Sequence, residues 1–264
     1  MNIQVGAGAT NLPGFLNVDV RKVEGVDLVG DAADLSTIRG RSVEILFGHA
    51  LFEHLFLGHH LAALREWKRV LTADGVMILL AIPDFASIAR LYLDSAPGIV
   101  GDRFDLHNVY RYTHGEPEHA TPPIWPVWKA REGAAPPGWI PQLHKSLFDA
   151  GYLRDLLTEV QLDGAIFNYA FPGEDHTLNL GLVAALPSVS ARWPDHASVL
   201  KALERIPFLE RFVTVNTITM SESRKSRDSL IGLASTLASR RPTSLPRRIA
   251  RRLARVFRPA AAHS

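Results

Sequence analysis

The chain has 264 residues, 47% of them hydrophobic, enough to bury a full core in one domain with insertions, or in two, without covalent staples. It contains no cysteine, which excludes a disulfide framework and any thiolate metal site. The net charge of +2 conceals an asymmetry: residues 224–264 hold eleven of the 29 Lys and Arg but only Asp228 among the 27 acids, so the body is acidic and the tail strongly basic.

No apolar run reaches the roughly 18 residues of a membrane span, and the N-terminus lacks the basic-then-apolar pattern of a signal peptide. A cytoplasmic protein is expected. The basic pI of about 9.0 comes from the tail and is poor evidence for nucleic-acid binding by the body.

The elements begin with short apolar runs at Ile3–Val5, Phe15–Val18, Val26–Val29, Val43–Phe47 and Val76–Ile82. Runs of this length, rich in Val, Ile and Leu and separated by polar or helical stretches, read as buried parallel strands of an α/β sheet. Between the fourth and fifth lies GHHLAALREWKRVLTADG, where Leu61, Leu64, Trp67, Val70 and Leu71 share one helical face and Asp74-Gly75 is expected to close the helix. After Pro83-Asp84, FASIARLYLD predicts the next helix.

The segment from about 106 to 142 has no clear period. It holds seven prolines, the three tryptophans Trp125, Trp128 and Trp139, and three histidines, which predicts a long functional loop or lid. Beyond it SLFDAGYLRDLLTEV is helical in period, and Gly164–Phe171 and Leu178–Leu186 read as two closing strands. Residues 1–188 are thus expected to form the main domain, with a helical extension over 189–264.

The first strand runs into Gly6-Ala7-Gly8, and the second ends at Asp19. Such a turn could serve a nicotinamide dinucleotide, a nucleoside triphosphate or S-adenosylmethionine. In the dinucleotide motif G-x-G-x-x-G a third glycine admits close helix packing, and an acid follows about 20 residues on. Here Asn11 takes the third position and Asp19 arrives too early for a crossover helix, while the phosphate-loop pattern is missing.

An ordered set of motifs then follows: Asp19 after the second strand, GDAADL after the third, FGHALFEHL after the fourth, LREWKRVLTADG, and IPDF. In this order they resemble a class I S-adenosylmethionine-dependent methyltransferase, well over residues 2–89 and loosely over 142–186. Arg69-Val70-Leu71-Thr72-Ala73-Asp74-Gly75 is similar to that family's RVLkPGG, and Phe52-Glu53-His54 to its LEH element. The resemblance implies a Rossmann-like sheet, mostly parallel with an antiparallel last strand, carrying a lid insertion and a helical basic C-terminal extension.

It also implies roles. Gly6, Ala7 and Gly8 would let the backbone approach the cofactor's methionine and ribose, Asp19 would accept hydrogen bonds from the ribose hydroxyls, and Asp31 with the Ala32 backbone would meet the adenine amino group. Phe47 to Ala50, His49 included, would line the sulfonium pocket. Two positions depart from the family: Gln4 stands where an acid is usual, and the helix after the first strand is reduced to a short loop, which opens the pocket on that side.

Methyl transfer gains much from alignment and water exclusion, while an alcohol acceptor also needs a base, worth roughly 10²–10⁴-fold. His144, at the junction of lid and core, is the first candidate, with helix-start support as its structural alternative. Asp84 and Glu53 are further candidates, although Glu53-His54 also reads as a structural pair. Asp84 with Asp175 or His176 is a candidate Mg²⁺ site.

The lid tryptophans suit a carbohydrate face, so an O-methyltransferase of a sugar or glycan in polysaccharide or glycolipid synthesis is expected, similar to those of mycobacterial methylated polysaccharides. A lipid, small natural product or carboxylate acceptor, or a silent methyltransferase-like binding module, are the alternatives. In PRRIARRLARVF, Ile249, Leu253, Val256 and Phe257 share a helical face among arginines. That tail suits docking on the acidic body or a peripheral place on an anionic membrane, and a nucleic-acid partner is not favoured.

Overall fold

The computed structural model describes residues 1–8, 10–95, 109, 112–113, 143–190 and 196–221. The five apolar runs form β1 (Asn2–Val5), β2 (Phe15–Asp19), β3 (Leu28–Val29), β4 (Val43–His49) and β5 (Leu71–Pro83). With β6 (Asp163–Tyr169), β7 (Asn179–Ala185) and β8 (Thr219–Met220) they build one sheet in the order β3-β2-β1-β4-β5-β7-β6-β8.

The first five strands pair in parallel, and β7 runs antiparallel between β5 and β6. This is the expected Rossmann-like arrangement, a mostly parallel sheet closed by an antiparallel strand. β8, not foreseen from the sequence, pairs with the outer edge of β6.

Period-two alternation distributes the sheet's side chains between two apolar layers. In β5, Met77 and Leu79 enter one layer, and Val76, Ile78 and Leu80 the other. A register shift between Leu79 and Ile82, with Ala81 at φ +68°, inserts one residue and returns Ile82 to the first layer. The Ala81 N–H then donates to the Tyr169 hydroxyl at 2.6 Å, inside the core.

Helices α1 (His60–Val70) and α3 (Ala150–Glu159) cover the first layer with Leu64, Trp67, Val70, Leu153 and Leu157. The second is closed by Val199, Leu203, Ile206, Phe212 and Val213, of which the first two lie on α4 (His196–Leu203). Residues 196–221, placed in the helical extension by the sequence reading, therefore form one face of the sheet's own core. The lid tryptophans and the basic tail lie outside the described residues.

Asp74-Gly75 does not close α1. The helix ends at Val70, and both residues lie in β5 opposite an irregularity of β4, where a Cβ on Gly75 would stand 2.8 Å from the Val43 carbonyl oxygen. Backbone proximity, rather than helix termination, accounts for that glycine. Helix α2 (Phe85–Asp94) forms as expected, with Asp84 as its N-cap accepting from the Ala86 N–H at 3.2 Å.

Arg69, in the RVL run, donates to the carbonyls of Leu35 and Ile38 at 2.9 and 3.0 Å, and the Trp67 indole N–H donates to the Ala32 carbonyl at 2.7 Å. Helix α1 thereby fixes the loop after β3. Trp67→Phe leaves the buried Ala32 carbonyl unmet, and urea unfolding should show a loss of about 1–3 kcal/mol.

Candidate active site

The carboxyl ends of β1, β2 and β4 open into a cleft of about 390 Å³. Gly6 and Asp19 lie on one wall with Leu51 packed against Gly6, Asp31 and Ala32 are beside them, and Ala50, His54 and Lys145 complete the lining. Gly6 has φ +67°, and a Cβ there would stand 2.8 Å from Leu51 Cδ1, so both conformation and the approach of Leu51 require glycine. Gly8, at φ +57°, turns its N–H to the Asp19 carboxylate at 2.8 Å.

Among the described residues no helix forms between β1 and β2. A buried asparagine braces the loop instead: Leu12 N–H donates to Asn17 Oδ1 at 3.2 Å, while the Asn17 amide and side-chain nitrogens donate to Asp27 Oδ2 at 2.8 and 3.0 Å. The short connection leaves Asp19 at the cleft with only 5% of its surface exposed.

Arg21 engages that carboxylate through its main-chain N–H at 2.8 Å and its Nε at 3.1 Å, both on Oδ1. Burial works to raise the Asp19 pKa, but the Arg21 side chain and the amides of Arg21 and Gly8 outweigh it and hold the group below its ordinary value. Asp19 is therefore an ionised acceptor whose present partner is a half-exposed guanidinium. Asp31 is exposed, and its Oδ1 accepts from the Ala33 N–H at 2.8 Å.

The opposite wall is made by docking one segment on another. Along the turn at Phe52–His54, the Glu53 carbonyl accepts from Lys145 N–H, the His54 carbonyl from Lys145 Nζ, and the Leu55 carbonyl from Ser146 Oγ, at 2.8, 2.8 and 2.7 Å. His54 Nδ1 bonds back to the Leu143 carbonyl at 3.1 Å, and the His54 and His144 rings meet edge to face at 4.9 Å. Behind them Glu53 is 1% exposed, and burial pushes its pKa up to about 8, so it is mostly protonated at neutral pH. Burial moves His54 the other way, down to about 4.

Of the residues singled out from sequence, Gly6, Asp19, Asp31 and Ala32 line the cleft, and Gly8 supports Asp19. Ala7 is buried, its N–H donating to the Val18 carbonyl at 3.0 Å. His144 and Glu53 stand behind His54 rather than on the cleft wall, where the imidazoles are those of His54 and His59.

Two expected positions fall elsewhere. Along β4, alternation carries His49 with Phe47 into the second layer, where its ring packs 4.8 Å from Phe212 and 5.8 Å from Phe171, away from the cleft. Asp84 is buried as the α2 cap and accepts from Ser87 Oγ at 2.5 Å and Asn168 Nδ2 at 2.8 Å, which gives it a structural place. Asp175 and His176 are exposed, and Asp84, Asp175 and His176 do not come together as a group of metal-capable side chains.

Arg21, Lys145 and Phe56 are cleft residues that sequence reasoning passed over. Arg21 carried a signal, a cation two residues after the strand-end acid. Lys145 carried none, because its place depends on where residues 143–146 dock. Gln4, in the acid's usual position, is buried with its Oε1 unpartnered.

No protein-family model matches the sequence, and no curated protein matches it either. Solved structures that resemble the chain include S-adenosylmethionine-dependent methyltransferases from three organisms. The Methanosarcina mazei protein is 13% identical over 70% of this chain and 91% of its own, with a TM-score of 0.42. The Archaeoglobus fulgidus protein is 10% identical over 69% and 84%, at 0.40, and the Clostridium acetobutylicum protein 11% identical over 70% and 83%, at 0.41.

His49 gives a pH signature. Burial holds its folded pKa at about 4 against an ordinary 6.5, so its contribution to stability is complete above pH 6.5 and is lost as pH falls through 4. At 1.36 kcal/mol per pKa unit the contribution reaches about 3 kcal/mol. Urea unfolding from pH 7 to 4 should show a steep loss in the wild type and a shallower one in His49→Leu.

Proposed function

We propose that the chain is an S-adenosylmethionine-dependent methyltransferase that methylates a hydroxyl, of a sugar in polysaccharide or glycolipid synthesis. The observation that carries the reading is one cleft, at the carboxyl ends of parallel strands, that gathers the Gly6 turn, the Asp19 carboxylate and the Asp31-Ala32 pair. Asp19 would take the ribose hydroxyls and Asp31 the adenine amino group. S-adenosylmethionine supplies an electrophilic methyl group. Asp19 orients the donor once Arg21 has been displaced from it, and Leu51, Leu55 and Phe56 keep water from that side of the cleft.

The hydroxyl acceptor is supported by an imidazole on the wall, and the sugar by Trp125, Trp128 and Trp139, whose rings suit carbohydrate C–H faces. Phe56 and Leu57, 58% and 66% exposed with Phe56 on the cleft wall, favour a second reading in which the acceptor carries an apolar group, as a lipid or small natural product does. A peripheral membrane place through the basic tail would suit either acceptor. Among the described residues no helix is long and apolar enough to cross a membrane.

Calorimetric titration with S-adenosylhomocysteine tests the donor. Micromolar binding, weakened at least tenfold by Asp19→Ala and absent with NADH, is the expected result. Because ribose hydroxyls must replace the Arg21 guanidinium on Asp19, Arg21→Ala should tighten binding a few-fold. No heat with the homocysteine compound, or binding indifferent to Asp19→Ala, contradicts the reading.

A further inference from the structure

Behind the cleft wall three donor groups face one another. Nε2 of His54 lies 3.8 Å, and Nε2 of His144 4.0 Å, from Oε1 of Glu53, and one ligand atom from each residue lies within 4.8 Å of the others. Among the described residues this is the one cluster of three metal-capable side chains with such spacing.

The two rings are held in the same way. His54 Nδ1 meets the Leu143 carbonyl at 3.1 Å and His144 Nδ1 the Tyr112 carbonyl at 3.0 Å. A carbonyl oxygen only accepts, so each Nδ1 carries the hydrogen, and in the neutral form of each ring Nε2, the nitrogen nearer Glu53, is the one that can ligate. Metal-bound histidines have this arrangement, with the remote nitrogen donating to a fixed acceptor. A second observation is independent of the histidines: Glu53 is 1% exposed, and its other oxygen, Oε2, is buried without a hydrogen-bond partner. A buried polar atom left unmet is costly, and a cation bound by both oxygens of the carboxylate would meet it.

We propose that Glu53, His54 and His144 bind one divalent transition-metal ion, with Zn²⁺ the best match. Two imidazoles and one carboxylate suit zinc and its neighbours, whereas Mg²⁺ and Ca²⁺ select oxygen ligands, so this site is distinct in place and chemistry from a magnesium site at Asp84. Around a tetrahedral zinc with bonds of about 2.0–2.1 Å, ligand atoms stand about 3.3 Å apart. The two separations from Glu53, 3.8 and 4.0 Å, must shorten by roughly 0.5 and 0.7 Å to reach that value.

Three protein ligands leave a fourth position for water or an acceptor oxygen, as in catalytic zinc sites. His54 also lines the cleft, which puts the ion at its edge. Metal binding in itself requires no methyl donor, so its test is separate from that of the cofactor.

The test is titration of the chelator-treated full chain with Co²⁺, read by visible d–d absorption, and with Zn²⁺ in competition with a chromophoric chelator. One ion per chain is expected, bound at micromolar affinity or tighter, with the cobalt bands lost and affinity down at least tenfold in both His144→Ala and Glu53→Gln. The exposed-site control His176→Ala should match the wild type. Circular dichroism checks each variant, and the near-isosteric Glu53→Gln decides the matter if His144→Ala fails to fold. Absence of stoichiometric binding, or equal affinity in wild type and Glu53→Gln, overturns the proposal.

Discussion

The cleft depends on residues 143–146 hydrogen-bonding along the main chain of residues 53–55. Three carbonyls of that turn accept donors from Lys145 and Ser146, and His54 bonds back to Leu143. A turn held by a three-residue 3₁₀ segment alone would be loose. Clamped from outside, it becomes a rigid wall that presents His54 and keeps Glu53 buried. The clamp also couples the two ends of the lid region to the core: residue 143 follows it directly, and Tyr112, within it, accepts from His144.

The facing wall is organised by one buried charge. Asp19 is ionised because Arg21 and two backbone amides compensate for its burial. Omission of the helix after β1 is what permits the arrangement. Asn17 and Asp27 take over the bracing role of the helix, and the loop stays short enough for Gly8 to reach Asp19.

Strands, the order of motifs and the strand-end acids were legible because each rests on local pattern: apolar runs bounded by polar residues, glycine before an acid, a helical face through Leu64 and Trp67. The errors share a cause. Asp74-Gly75 looks like a helix stop, but a close backbone contact in β5 needs the same glycine. His49 looked like a pocket residue by its place at the end of β4, yet alternation turns its ring to the other face. Asp84 ends a strand as a catalytic acid would, and caps the next helix instead. His54 and His144, 90 positions apart in sequence, meet only through the docking of residues 143–146, and no one-dimensional period records such a contact.

A crystal structure grown with saturating S-adenosylhomocysteine would examine the cleft directly. The ribose hydroxyls should lie within hydrogen-bond distance of Asp19, with the Arg21 side chain turned away and the adenine beside Asp31 and Ala32. Density for the compound at another place, or a cleft still closed by Arg21 on Asp19 at saturation, would contradict the assignment of this cleft to the methyl donor.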